Sequence, residues 1–178
     1  MKNKLLLLLI YIFFFTGNSI AEEYIFEVSK IELNDKGNLI YAYDGKIISE
    51  KKDIEITAKE FNYTKNVDLL EALNGSALIK NDNIKIDFDI LRIKNKNIFT
   101  ATNGVEIEDL NNLLNIKSEN IVLDRSENKL TATNGVEIED LNNLLNIKSE
   151  NIVLDRSENK LTATNGVEIE DLNNLLNI

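Results

Sequence analysis

Thr100–Leu130, TATNGVEIEDLNNLLNIKSENIVLDRSENKL, is followed without a break by the same 31 letters at Thr131–Leu161, and a third copy begins at Thr162. A fixed period of this length constrains the fold more than any local pattern, because a unit that cannot bury its apolar face alone must stack on its neighbours. The period also reaches upstream in weaker form. Gly45, Gly75, Gly104, Gly135 and Gly166 are 30, 29, 31 and 31 residues apart. Three residues before each stands an alanine (Ala42, Ala72, Ala101, Ala132, Ala163), and five before it a large apolar residue (Ile40, Leu70, Phe99, Leu130, Leu161). Three after it comes Ile48, Leu78, Ile107, Ile138 or Ile169. The repeat therefore runs from about residue 38 onward.

Inside the unit the apolar period is two. Gly104-Val105-Glu106-Ile107-Glu108 alternates apolar and acidic residues, as a half-buried strand does. The second half of the unit alternates with a slip. Its apolar positions fall at i, i+2, i+5 and i+7 in Ile56, Ala58, Phe61 and Tyr63, and again in Ile86, Phe88, Leu91 and Ile93. Ile116, Ser118, Ile121 and Leu123 keep the spacing, which predicts a β-bulge between two inward-facing pairs. A helical period fits the single window at residues 109–116 but fails over the unit, and the Asn-rich composition there disfavours helix.

Polar turn clusters at residues 34–38, 64–66, 81–83, 94–97, 124–128 and 155–159 separate the strands. The pattern predicts strands near 24–33, 39–49, 54–63, 69–79, 84–93, 98–108, 113–123, 129–139, 144–154 and 160–170. Short turns imply antiparallel neighbours. The glycine inside each unit is expected at a bulge or tight bend. With no proline in the chain, no strand lacks a backbone donor.

The first 21 residues read as a secretory signal peptide. Lys2 and Lys4 precede the apolar run 5–15, and Ser19-Ile20-Ala21 has the small-x-small form of a cleavage site. Eleven apolar residues fall short of the roughly 20 needed to span a bilayer. Cleavage removes both lysines, so the exported chain, residues 22–178, carries 18 basic against 30 acidic residues, a net charge of −12. That surface repels nucleic acid and anionic headgroups. The chain has no cysteine and no histidine, so disulfides, thiol chemistry and the commonest metal ligand and general base are excluded. Carboxylate pairs such as Glu106 with Glu108, and Glu108 with Asp109, fall on alternating exposed faces or in turns. With no phosphate loop and no metal-spaced cluster, no catalytic residue, metal or cofactor is expected.

Leu130-Thr-Ala-Thr-Asn-Gly-Val-Glu-Ile138, with Ile56-Thr-Ala-Lys-Glu-Phe-Asn-Tyr63, resembles the repeat of the OstA-like family. That family includes the periplasmic lipopolysaccharide-transport proteins of the LptA kind and the N-terminal domain of the outer-membrane LptD proteins. The resemblance covers nearly all of the exported chain and implies an all-β, open, twisted antiparallel β-jellyroll built from two-strand repeats. It implies a periplasmic carrier, free or associated with the outer membrane, that holds lipid A acyl chains of lipopolysaccharide in an apolar groove. The groove residues it implies are Ile56, Ala58, Phe61, Tyr63, Leu70, Ile86, Phe88, Leu91, Ile93, Phe99, Ile116, Ile121 and Leu123. Other jellyroll components of a transport bridge, or further copies of this chain head to tail, would dock on its strand edges.

The length leaves no room for the membrane barrel of an LptD protein, which favours an LptA-like protein. The stop inside a repeat at Asn177-Ile178 instead raises the expectation of a longer parent chain. Two rivals share export and acidity. One is a structural or adhesive repeat module without lipid cargo, such as a parallel β-helix, and parallel strands would favour it. The other is a membrane-anchored jellyroll of the LptC kind, which requires an uncleaved N-terminal helix.

Overall fold

A computed structural model describes residues 24–172, so residues 1–23, which include the expected signal peptide, and the last six residues lie outside the described residues. Among the described residues eleven strands follow one another: β1 (Tyr24–Asn34), β2 (Leu39–Ser49), β3 (Ile54–Thr64), β4 (Leu69–Ile79), β5 (Ile84–Lys94), β6 (Ile98–Asp109), β7 (Leu114–Asp124), β8 (Lys129–Asp140), β9 (Leu145–Asp155), β10 (Lys160–Thr164) and β11 (Glu168–Asp171). They form one open sheet in sequence order from β1 to β10, every pairing antiparallel, with β11 also on β9. The expected all-β antiparallel architecture is the one the chain adopts. The expected tenth strand over 160–170 is split at residues 165–167, and both pieces pair with β9. Asn165 and Gly166 both have positive φ there. The same Asn–Gly pair has positive φ in β6 and β8, but those strands are laddered on both sides and stay continuous.

A straight strand of eleven residues would be roughly 36 Å long, yet the strand ends meet. Tyr24, opposite Ser49 at one margin of the sheet, lies edge-on to Tyr63 from the other margin, with ring centroids 5.1 Å apart. The long strands are therefore bent near their middle, and the sheet folds face to face on itself. Its two margins become two rows of turns. The first row joins β1–β2, β3–β4, β5–β6, β7–β8 and β9–β10, and the second joins β2–β3, β4–β5, β6–β7 and β8–β9.

Within each row the turns stack by backbone hydrogen bonds. In the first row the Lys65, Asn95, Arg125 and Arg156 N–H groups donate to the carbonyls of Asn38, Asp68, Asn97 and Asn128 at 2.9–3.0 Å. In the second, Lys80, Leu110, Leu141 and Leu172 donate to Asp53, Asn83, Leu113 and Leu144.

The bend has two constructions. From β1 to β5 paired strands slip their alternation at the same place, so inward residues run Ala42 to Ile47 beside Ala58 to Phe61 and the register is unbroken. The slip read as a bulge in β3 and β5 is thus a shared bend, because neither partner supplies an extra residue to its neighbour on the β2 to β5 side. True register shifts begin at β5–β6. There the extra residue belongs to the glycine-bearing strands β6 and β8, which have 12 residues against 11 in their partners. One consequence corrects the column three after the glycine. Ile107 and Ile138 occupy it and face inward, but in the first two units the inward residues are Ile47 and Ala77, one place earlier, and Ile48 and Leu78 are only half-buried.

The bend is made by a column the period alone did not single out. Asp44, Asn74, Asn103, Asn134 and Asn165, each directly before the glycine, all have positive φ. Asx side chains tolerate that left-handed conformation better than other non-glycine residues. The glycines themselves serve two purposes. Gly104 and Gly135, at φ +80 and +75, take positive φ with open space around them. Gly45 and Gly75 instead face the neighbouring strand so closely that a Cβ would overlap the carbonyl oxygen of Glu27 or Thr57.

Candidate functional site

The two inner faces enclose an apolar interior continuous from β1 to β9. Every groove residue named from the sequence is there. Ile56, Ala58, Phe61, Tyr63, Leu70, Ile86, Phe88, Leu91, Ile93, Phe99, Ile116, Ile121 and Leu123 are all at most 6% exposed. The stack extends in the same columns to Ile147, Ile152 and Leu154. At the bend one position changes character along the coil, from Ala58 and Phe88 to Ser118 and Ser149. Ser118 Oγ lies 2.7 Å from the Thr133 carbonyl and 2.9 Å from that of Asn120, so its hydroxyl is satisfied inside the core. Near the start of the coil Tyr24 is buried against Tyr63, and burial pushes its phenol pKa up, keeping it protonated.

The sequence reading missed the residues that join the two rows of turns. Arg125, in the first row, donates from Nε to Asp82 at 2.9 Å and from Nη1 to Asp53 at 3.2 Å, both in the second. Arg156 reaches Asp109 with Nη2 at 3.3 Å. Asp109 is 3% exposed, not on a solvated face as the alternating pattern suggested. It also accepts from the backbone N–H groups of Asn111 and Asn112 and from Asn112 Nδ2, at 2.8–3.1 Å. The carboxylates on the outer face behave differently. Glu106 pairs with Lys117 across strands, and Glu108 with Lys85, whose pKa is raised by hydrogen bonds to Asp87 and Glu108. A sequence signal for the joining residues did exist. Arg125 and Arg156 are two of only three arginines among 20 basic residues, and both sit in turns.

Asp53 ties this seam to pH. Burial pushes its carboxyl up, but hydrogen bonds from Ser49 Oγ and the Arg125 guanidinium, with the charge of the latter, hold it below its ordinary value. A carboxyl acidified by folding stabilises the fold above its unfolded pKa, near 3.8, and that contribution is lost as pH falls through the lower folded value. The urea midpoint of the chain is expected to drop as pH is lowered below about 4, and that of Asp53→Asn to drop less over the same interval. Glu55, also acidified, first by Lys80, is present in both chains, so the difference between them isolates Asp53.

No protein-family model matches the chain, and no curated protein matches its sequence. Among solved structures it is similar to LptH, the LptA-homologous periplasmic component of the conserved lipopolysaccharide transport device from Pseudomonas aeruginosa. The TM-score is 0.46 at 10% identity, over 74% of this chain and 93% of that one.

Proposed function

We propose that the chain is a periplasmic carrier for the acyl chains of lipopolysaccharide, an LptA-like bridge component or the N-terminal part of an LptD-like protein. The observation that carries this reading is the unbroken apolar interior, whose columns repeat from rung to rung along the coil. A linear apolar path suits a long hydrocarbon cargo, which contributes about 0.8 kcal/mol per buried CH2. The acidic exterior fits the same reading, because a phosphorylated headgroup is repelled and stays in water while the acyl chains are held. The outer edge of β1 and the β10–β11 edge are unpaired among the described residues, and further jellyroll components or copies of this chain dock there by strand addition. The sequence offers no catalytic constellation, and no catalytic role is proposed.

The interior side chains pack against one another, so an acyl chain enters only if the two rows of turns part. That packing favours a second reading, an exported structural or adhesive repeat module with no lipid cargo. Photo-crosslinking separates the two. A photoreactive side chain replaces Phe61, Leu91 or Ile121 in separate samples, outward Glu106 serves as control, and each sample is mixed with lipopolysaccharide. Adducts at the three interior positions and none at Glu106 are the expected result. No adduct at any interior position, with a β-rich circular dichroism spectrum retained, would replace the carrier by the structural module.

A further inference from the structure

Where the two rows of turns face each other beside β7 and β9, they leave a cleft of about 650 Å³. One wall is the second row, in which side-chain amides stack from turn to turn. Asn83 Nδ2 donates to Asn111 Oδ1 at 3.3 Å, Asn111 Nδ2 to the Asp82 carbonyl at 2.9 Å, and Asn142 Nδ2 to the Asn112 carbonyl at 2.8 Å. These bonds fix the amides before any ligand arrives, which lowers the entropic cost of using them. Asn111 and Asn142 occupy the same place in successive units, two strands apart, a spacing of roughly 9.6 Å. That is close to the length of one disaccharide in an extended glycan. Asn128, Asn159 and Arg156 come from the opposite row, and Leu114, Leu154 and Leu161 supply an apolar surface.

The charges of this cleft are largely consumed within the protein. Asp82 is held by Arg125, and Asp140 accepts from the Asn142 and Asn143 backbone N–H groups and from Asn143 Nδ2. Arg156 is engaged by Asp109 through Nη2 and by Asn128 Oδ1 through Nη1 at 3.5 Å, while its Nε has no acceptor among the described residues; the same atom of Arg125 is taken by Asp82. Each Nδ2 of Asn111, Asn142 and Asn143 spends one N–H on these internal bonds and keeps a second, so what the cleft offers is the remaining capacity of neutral amides at fixed spacing beside leucine side chains. A phosphate ligand would meet carboxylates, and no group of three metal-ligating side chains exists among the described residues. A peptide strand would need a free sheet edge, whereas several of these turn N–H groups are spent on stacking. Hydroxyl groups that both donate and accept, alternating with C–H faces, match the set.

We propose that this cleft binds an extended oligosaccharide, with one disaccharide unit aligned to each two-strand rung. The site does not depend on lipid carriage. Its ligand is either a free glycan or the sugar part of a lipopolysaccharide, and the test uses both: maltohexaose and chitohexaose in one arm, acyl-free lipopolysaccharide polysaccharide in the other.

Asn128 and Asn159 have φ of +52 and +49, so glycine keeps their turns; at Asn159 it removes only the amide, and at Asn128 it also removes the Oδ1 acceptor 3.5 Å from Arg156 Nη1. Side-chain amide resonances of the cleft asparagines are expected to shift with millimolar or tighter affinity for at least one probe. Asn128→Gly and Asn159→Gly should each weaken binding about threefold to tenfold. Asn95→Gly, at a positive-φ turn outside the cleft, should leave it unchanged. Response to the acyl-free polysaccharide alone assigns the site to a lipid headgroup, and response to the hexaoses assigns it to free glycan. Absence of shifts with all three probes at about 20 mM would overturn the proposal. So would unchanged affinity in an Asn128→Gly/Asn159→Gly double variant whose melting temperature matches the parent.

Discussion

Asp109→Ala is expected to destabilise the chain by about 3–5 kcal/mol, the usual cost of removing one partner of a buried ion pair. The substitution strips the Arg156 guanidinium of its carboxylate and leaves the N–H groups of Asn111 and Asn112 without their acceptor. Each orphaned donor adds a desolvation cost. Glu106→Gln, three positions away on the outer face, should move stability by less than about 0.5 kcal/mol, since exposed pairs contribute little. Chemical denaturation of the two variants measures both. If Asp109→Ala cost no more than Glu106→Gln, the seam would not be holding the sheet closed.

The second large effect distinguishes glycines that look alike in the repeat. Gly75→Ala places a Cβ over the Thr57 carbonyl and 2.7 Å from the Ala58 Cβ, all on the adjacent strand. Backbone on that side cannot give way without breaking the β3–β4 ladder, so a loss of about 3 kcal/mol is expected. Gly135→Ala meets nothing within 4 Å and carries only the strain of positive φ, about 1–2 kcal/mol. Gly135→Asn should cost less still, because asparagine already holds positive φ at the preceding position, Asn134. Melting temperatures of the three variants should fall in that order. Equal losses for Gly75→Ala and Gly135→Ala would mean that one mechanism serves the whole glycine column.

Much of this architecture was legible because strand geometry has a period of two and the turns announce themselves. Ile56, Phe61, Leu91 and Ile121 could be placed inside from spacing alone, since each sits on the inward parity of a strand between polar clusters. Parity also explains the errors. A residue that faces outward within its strand can still be buried where two distant turns meet, and Asp109 is such a residue. The contact that buries it comes from Arg156, 47 positions along the chain, and no local pattern encodes it. The off-by-one between Ile47 and Ile107 has a similar origin. Aligning on the glycine hides the residue inserted at the bend, because the insertion lies beside the anchor. Spacing alone does not decide between packing and cargo, for an apolar column reads the same whether it lines a groove or fills one.

The β6–β9 region has a consequence for how such a chain changes length. Residues 100–130 and 131–161 are identical, and each makes the same ladder, with the same register shift, and the same turn stacking with what precedes it. Excising or duplicating one 31-residue copy would rejoin surfaces that already fit. The coil would shorten or grow by roughly 9.6 Å, the width of two strands, with no new interface to evolve. Replication slippage between the copies would therefore yield folded length variants at once, and selection could adjust the span of the molecule in whole rungs.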